Sequence, residues 1–151
     1  MLSEVAFAAK QHWGYSVEWM EAWREELTAT PEYLHAQPVY VATEEGRIAG
    51  FFGLKSAADG HHLEHLWLLP AFIGRGLGRA LFGEAVQQAR PAGATELRIK
   101  SDPNAEGFYL KMGAVRTGLE ESLFLGRFRR EVPLLVYSLR CVAEITLGSE
   151  A

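Results

Sequence analysis

Residues 66–81 read Leu66-Trp67-Leu68-Leu69-Pro70-Ala71-Phe72-Ile73-Gly74-Arg75-Gly76-Leu77-Gly78-Arg79-Ala80-Leu81. An apolar run is stopped by a proline, and three alternate glycines then open a helical segment. Glycines at 74, 76 and 78 remove the side chains that hold a ligand off the backbone, and the first turn of a helix leaves amide donors without partners. Such a turn captures phosphate. Arg75 and Arg79 flank it and can add charge-assisted bonds to a diphosphate. The stretch is not a Walker A loop, because no Gly-Lys-Ser/Thr follows at the required spacing, and it does not match G-x-G-x-x-G. A tight turn carrying solvated arginines is the alternative reading.

Working outward, residues 74–88 carry Leu77, Leu81 and Ala85 beside Phe82, Val86 and Ala89, the spacing of an amphipathic helix. Residues 63–69 before it form an apolar strand. After it, residues 96–100 alternate as a strand, 104–112 read as a short helix closed by Gly113, and 114–117 and 134–139 are strand candidates. Upstream, residues 39–43 and 48–54 pair as a hairpin around a polar turn. The first third is helical, with Ser16 as N-cap for residues 17–27 and Pro31 at the first position of a further turn. This order predicts a mixed α/β (α+β) layout, a sheet covered by helices.

The chain has 151 residues, 48% hydrophobic and 23% charged, with no repeat or linker-like stretch, and reads as a single domain over residues 1–151. A net charge of −4 argues against a general nucleic-acid binder. Any bound anion must then be captured locally. The single cysteine, Cys141, excludes an intramolecular disulfide framework and fits a cytoplasmic protein. No apolar run approaches a membrane span, so no membrane partner is expected.

The glycine turn, with the segment Asn104-Ala105-Glu106-Gly107-Phe108-Tyr109-Leu110-Lys111-Met112-Gly113-Ala114, resembles the GNAT superfamily of acyl-CoA-dependent N-acyltransferases. The superfamily's first motif is a strand, a proline and Gln/Arg-x-x-Gly-x-Gly/Ala opening a helix; Ile73-Gly74-Arg75-Gly76-Leu77-Gly78 corresponds to it. Ile73 departs from the pattern, since it lacks a polar head. The second motif is Asn-Ala-x-x-Phe-Tyr-x-x-x-Gly-Phe/Ala. The resemblance covers residues 39–117 and implies a mixed, mostly antiparallel sheet with central splayed parallel strands and helices on both faces. Members usually open with a strand before the first helix. This chain reads as starting inside that helix, so the first strand is expected to be missing.

The resemblance also implies acetyl-CoA as cosubstrate, no metal, and direct attack of an amine on the thioester, with no catalytic role for Cys141. Leu66, Trp67 and Leu68 would offer a strand edge to the pantetheine arm, and Gly74, Arg75, Gly76, Leu77, Gly78 and Arg79 would hold the pyrophosphate. Asn104 matches a position that bonds the pantetheine or a neighbouring turn, and also reads as the N-cap of its helix. Phe108 and Tyr109 would also contact the cofactor. Tyr109 matches the superfamily's frequent general acid; a packed aromatic ring with its hydroxyl paired to backbone is the alternative. For the base, Glu64 is the candidate, because alternation puts it on the face of Leu66 and Leu68, where apolar neighbours would raise its pKa. His62 is the second candidate base, and His65 points the other way.

His61-His62-Leu63-Glu64-His65 satisfies the zinc pattern H-x-x-E-H. That pattern needs a helix, and this segment reads as a strand. For the acceptor, Trp13, Tyr15, Trp19, Met20 and Trp23 give an aromatic surface that either packs on the sheet or holds a ligand. Arg127, Arg129 and Arg130 would suit a carboxylate beside the reacting amine; a solvated loop or a homodimer contact is the alternative. The expected activity is acetyl transfer to a primary amine of a small molecule. Protein or peptide N-acetylation and a silent acyl-CoA-binding module are the rivals.

Overall fold

The computed structural model describes residues 1–139. Cys141 lies outside the described residues. Three helices lead the order: α1 (Leu2–Gln11), α2 (Val17–Trp23) and α3 (Pro31–Ala36). Ser16 and Thr30 cap the second and third, each accepting from the backbone amide three residues on. There follow β1 (Val39–Glu44), β2 (Arg47–Ala57), β3 (Gly60–Leu68), α4 (Leu77–Ala89), β4 (Glu96–Lys100), α5 (Glu106–Met112), β5 (Val115–Phe124) and β6 (Phe128–Ser138).

The six strands form one sheet in the order β1-β2-β3-β4-β6-β5. All neighbours are antiparallel except β3 and β4, which run parallel over only three partners, His61 with Leu97, His62 with Arg98 and Leu63 with Ile99. Beyond Leu63 the two strands part. β2 shows how the sheet is covered: Phe52 packs with Leu81, Phe82 and Ala85 of α4, while its neighbour Phe51 packs with Val5, Met20 and Trp23 of α1 and α2. Helices therefore seal both faces, and no helix among the described residues is long and apolar enough to cross a membrane.

A bulge interrupts β3. Phe51 pairs with Trp67 and Gly53 with Glu64, so Phe52 alone faces both His65 and Leu66, and His65 takes a left-handed φ of 54°. Alternation reverses there. Leu63 and Leu66 both pack toward α4, whereas Glu64 and Trp67 lie on the face of Phe51. The expected sharing of a face by Glu64, Leu66 and Leu68 is thus corrected, because an extra residue shifts the period of two. His65, expected on the other side from Glu64, stands on the same face, its ring 5.2 Å from that of Tyr33 and 6.2 Å from Phe51.

The last two strands are longer than residues 114–117 and 134–139 suggest. They form a hairpin whose outer strand β5 is a sheet edge, so solvated residues such as Glu120, Glu121 and Arg129 sit within strands where polarity suggests a loop.

The bulge also needs Gly50. A Cβ added there would strike the Trp67 carbonyl oxygen, a backbone atom, and press on Leu81 and Leu68. Gly50→Val should therefore lower stability by about 2 kcal/mol, seen as a lower urea midpoint; an unchanged midpoint would show that β2 and β3 can separate freely at this point.

Candidate active site

Where β3 and β4 part, a cavity of about 290 Å³ passes through the sheet. On the α4 and α5 side its wall includes Leu66, Leu68, Gly78, Phe108 and Tyr109; on the α1 side it includes His12, Trp13, His65 and Trp67. From Glu64 to Leu68, β3 has no ladder partner on its β4 side among the described residues. Its backbone groups there are available to pair with an extended ligand.

The glycine turn lies at the α4 mouth. Gly74 and Gly76 have φ of 84° and 79°, conformations that side chains resist, and Gly76 is an N-cap without a side-chain cap. The first capping bond is Ala80 N–H to Gly76 O, which leaves the amides of Leu77, Gly78 and Arg79 without helical acceptors. Gly78 serves packing instead: a Cβ there would meet the Phe108 ring at 3.3 Å. Ile73 lines the cavity and is exposed.

The two arginines differ. Arg75 is drawn aside, donating to Glu44 at 3.2 Å. Arg79 instead lines a neighbouring groove of about 530 Å³ with Arg90 and Lys111, and none of the three has an ion-pair partner among the described residues. Sequence reasoning missed Arg90 and Lys111. They are far apart along the chain, and only the packing of α4 against α5 brings them together.

Tyr109 is buried, and no described residue bonds its hydroxyl. The residue lines the cavity where β3 and β4 part. Burial, reinforced by the Asp102 carboxylate, pushes its pKa well above the usual phenol value. The group stays protonated throughout the neutral range.

Asn104 does not cap α5, which starts two residues later with Ala105 at the N-cap. Its side-chain amide donates instead to Tyr15 Oη and Asp102 Oδ1, both at 3.0 Å. Asp102, absent from the sequence reading, is the centre of a buried cluster. Its carboxylate accepts from the Tyr15 hydroxyl at 3.0 Å and from Arg130 at 2.9 Å, and lies 3.7 Å from Lys10 Nζ. Burial opposes its charge, but the Asn104 amide, Lys10, Tyr15 and Arg130 together hold its pKa below the ordinary value. Lys10 sits 3.9 Å from the centre of the Trp23 ring, and burial and Arg130 push its amine down to about 8.

Two acceptor expectations change accordingly. Of the aromatic residues near the start of the chain, Tyr15, Trp19 and Trp23 pack with Met20 on the sheet, Lys10 and Arg130 lying over Trp23, whereas Trp13 is exposed and lines the cavity. The three arginines are each engaged, Arg127 with Glu18, Arg129 with Glu121 and Arg130 with Asp102. Glu64 lies outside the cavity wall, with Tyr33 Oη at 3.4 Å and Lys55 Nζ at 3.9 Å in place of the expected apolar neighbours. His62 is held by Asp59 at 2.8 Å. The H-x-x-E-H segment lies on β3, where its histidines lack the spacing that a helix would give them.

Residues 3–123 match the family model described as Acetyltransferase (GNAT) domain. A peptidyl-lysine N-acetyltransferase of Salmonella typhimurium is 33% identical over 108 residues, 70% of each chain. A Bacillus subtilis protein named as a ribosomal-protein-alanine N-acetyltransferase is 27% identical over 88 residues; that match spans 56% of this chain and 58% of the relative's length. The fold is shared with the PaiA N-acetyltransferase of Thermoplasma acidophilum in complex with coenzyme A, at a TM-score of 0.71 and 23% identity, over 91% of this chain and 90% of that one. A GCN5-related N-acetyltransferase of Rhodopseudomonas palustris gives 0.76 and 24%, over 91% and 87%.

Replacing Asp102 by Asn leaves two buried cations without their anion, and should cost about 3 kcal/mol in urea unfolding at neutral pH. The sign with pH follows from the depressed pKa. The carboxylate's stabilisation is complete above its unfolded value of 3.8 and is lost as pH falls through the lower native value. The gap between wild type and variant should close below about pH 4; a gap independent of pH would remove the carboxylate charge as its cause.

Proposed function

Because the chain belongs to the GNAT acetyltransferase family, whose model it matches over residues 3–123, we propose that it transfers acetyl from acetyl-CoA to a primary amine of a small molecule by direct attack on the thioester. The observation that carries this is the cavity through the sheet, with helix amides at one mouth that have no acceptor among the described residues and Tyr109 in its wall.

Acetyl-CoA would supply the activated acetyl group, and the residues present suit it. The amides of Leu77, Gly78 and Arg79, presented by Gly74 and Gly76, would take the diphosphate, with the Arg75 guanidinium at the rim. Arg79, Arg90 and Lys111 give the adjoining groove a cationic lining for the remaining phosphate. The unpaired edge at Leu66, Trp67 and Leu68 would receive the pantetheine amides, while Asn104 keeps its side-chain oxygen as an acceptor and Phe108 closes the apolar wall.

Tyr109 would donate the proton taken up by the leaving sulfur. Transfer would neutralise the departing thiolate and leave the charge on the phenolate, which regains a proton from water as the products leave. Glu64 is the proposed base, reached through water from the α1 side of the sheet, with Tyr33 and Lys55 fixing its carboxylate. The names of the two sequence relatives favour a second reading in which the amine belongs to a protein or peptide.

Calorimetry with CoA and thiol release across an amine panel test the proposal; absence of CoA binding would end it. Tyr109→Phe should lose about 100-fold or more in turnover with CoA affinity intact. Gly76→Val should instead lose CoA affinity about tenfold or more, since a branched residue resists φ of 79° and the turn must reshape, although no protein atom crowds the site.

A further inference from the structure

His65 is the one imidazole in the cavity wall contributed by the sheet, and its geometry fixes which hydrogen it can offer. The indole N–H of Trp67 donates to His65 Nδ1 at 3.2 Å. An indole nitrogen only donates, so Nδ1 carries the lone pair and the proton of the neutral ring resides on Nε2. Burial lowers the ring's pKa, with Glu64 opposing, which keeps it neutral. Nε2 has no partner among the described residues, and the ring lines the cavity. The left-handed φ at the bulge and the rings of Tyr33 and Phe51 hold it there.

The remaining polar groups on that side point the same way. Among the described residues Asp102 is the only carboxylate in the cavity wall, and Tyr15, Lys10, Arg130 and Asn104 already surround it. Among the described residues the cavity wall itself therefore holds no carboxylate free to pair with a second ammonium group, Glu64 lying outside it.

The geometry points to His65 as a specificity-determining residue whose Nε2–H binds an oxygen next to the reacting amine, so that the acceptor is an α-amino carbonyl compound rather than a simple alkylamine or diamine. This rests on the acetyl-transfer reading above. A free amino-acid amide and a peptide N-terminus share that unit. The same N–H cannot serve as a base, because the only lone pair on the ring is engaged by Trp67.

Thiol release from acetyl-CoA should be followed with alaninamide, a tripeptide bearing a free N-terminus, isobutylamine and putrescine. Wild type should favour alaninamide over isobutylamine by about tenfold or more in kcat/KM, the worth of one hydrogen bond; a tripeptide as good as alaninamide would assign the peptide source, and a poor one the small molecule. His65→Leu should erase the preference by slowing alaninamide alone, with His65→Gln restoring part of it. Should the leucine variant not fold, His65→Asn accepts the left-handed backbone but is too short to reach, and should show the same loss. Nitrogen-15 NMR of the imidazole gives a readout apart from activity, with the Nε2-protonated neutral tautomer expected at pH 7. Proton on Nδ1, preference for isobutylamine or putrescine, or equal slowing of both amines by His65→Leu would each overturn the assignment while leaving acetyl transfer intact. No thiol release with any of the four amines would instead overturn the transfer reading, and this inference with it.

Discussion

Phe52 faces two residues of β3 where its neighbours in β2 face one, and that single inserted residue organises the site. It turns β3 away from β4 after three paired positions, which opens the sheet without breaking it. It reverses the alternation, so that Leu66 and Leu68 reach the α4 layer while Glu64 and Trp67 stay on the other. It also stations His65 at the opening in a backbone conformation seldom taken by residues other than glycine. Gly50, on the strand opposite, provides the room for this bend.

The cavity so formed has two chemically different halves. Toward α4 and α5 it offers backbone amides, glycine, apolar side chains and one phenol. Toward α1 it offers imidazole and indole rings above a buried carboxylate whose charge is already balanced by two cations. A phosphate-rich donor molecule suits the first half by its anionic end, and an amine entering from the second meets the opening without crossing the first. This division follows from a sheet with helices on both faces and a gap between two of its strands.

Much of this was legible in the sequence. The glycine turn, the strand before it and the segment from Asn104 to Ala114 stand together because their chemistry is local: φ above zero, an uncapped helix start and a strand edge are set by consecutive residues. Glu64 was misplaced because a bulge leaves no mark in an alternating pattern when the inserted residue is a histidine rather than a glycine. Asp102 was passed over for a different reason. Its partners are Lys10, Tyr15 and Arg130, and no short window of sequence contains them. The same holds for Arg79, Arg90 and Lys111. The polar strands of the final hairpin read as loop because an edge strand need not be apolar on either face.

The Asp102 cluster bears on the order in which the chain assembles. Tyr15 and Asp102 are 87 residues apart, and Tyr15 and Arg130 are 115 apart. Contacts of such long sequence separation close large loops, and their entropy cost is met only once α1, β4 and β6 already stand in place. If the cluster closes late, as these separations suggest for contacts that need several elements in place first, its loss should quicken unfolding more than it slows folding. The buried charges would then lend the assembled site persistence, a kinetic property, more than speed in reaching it.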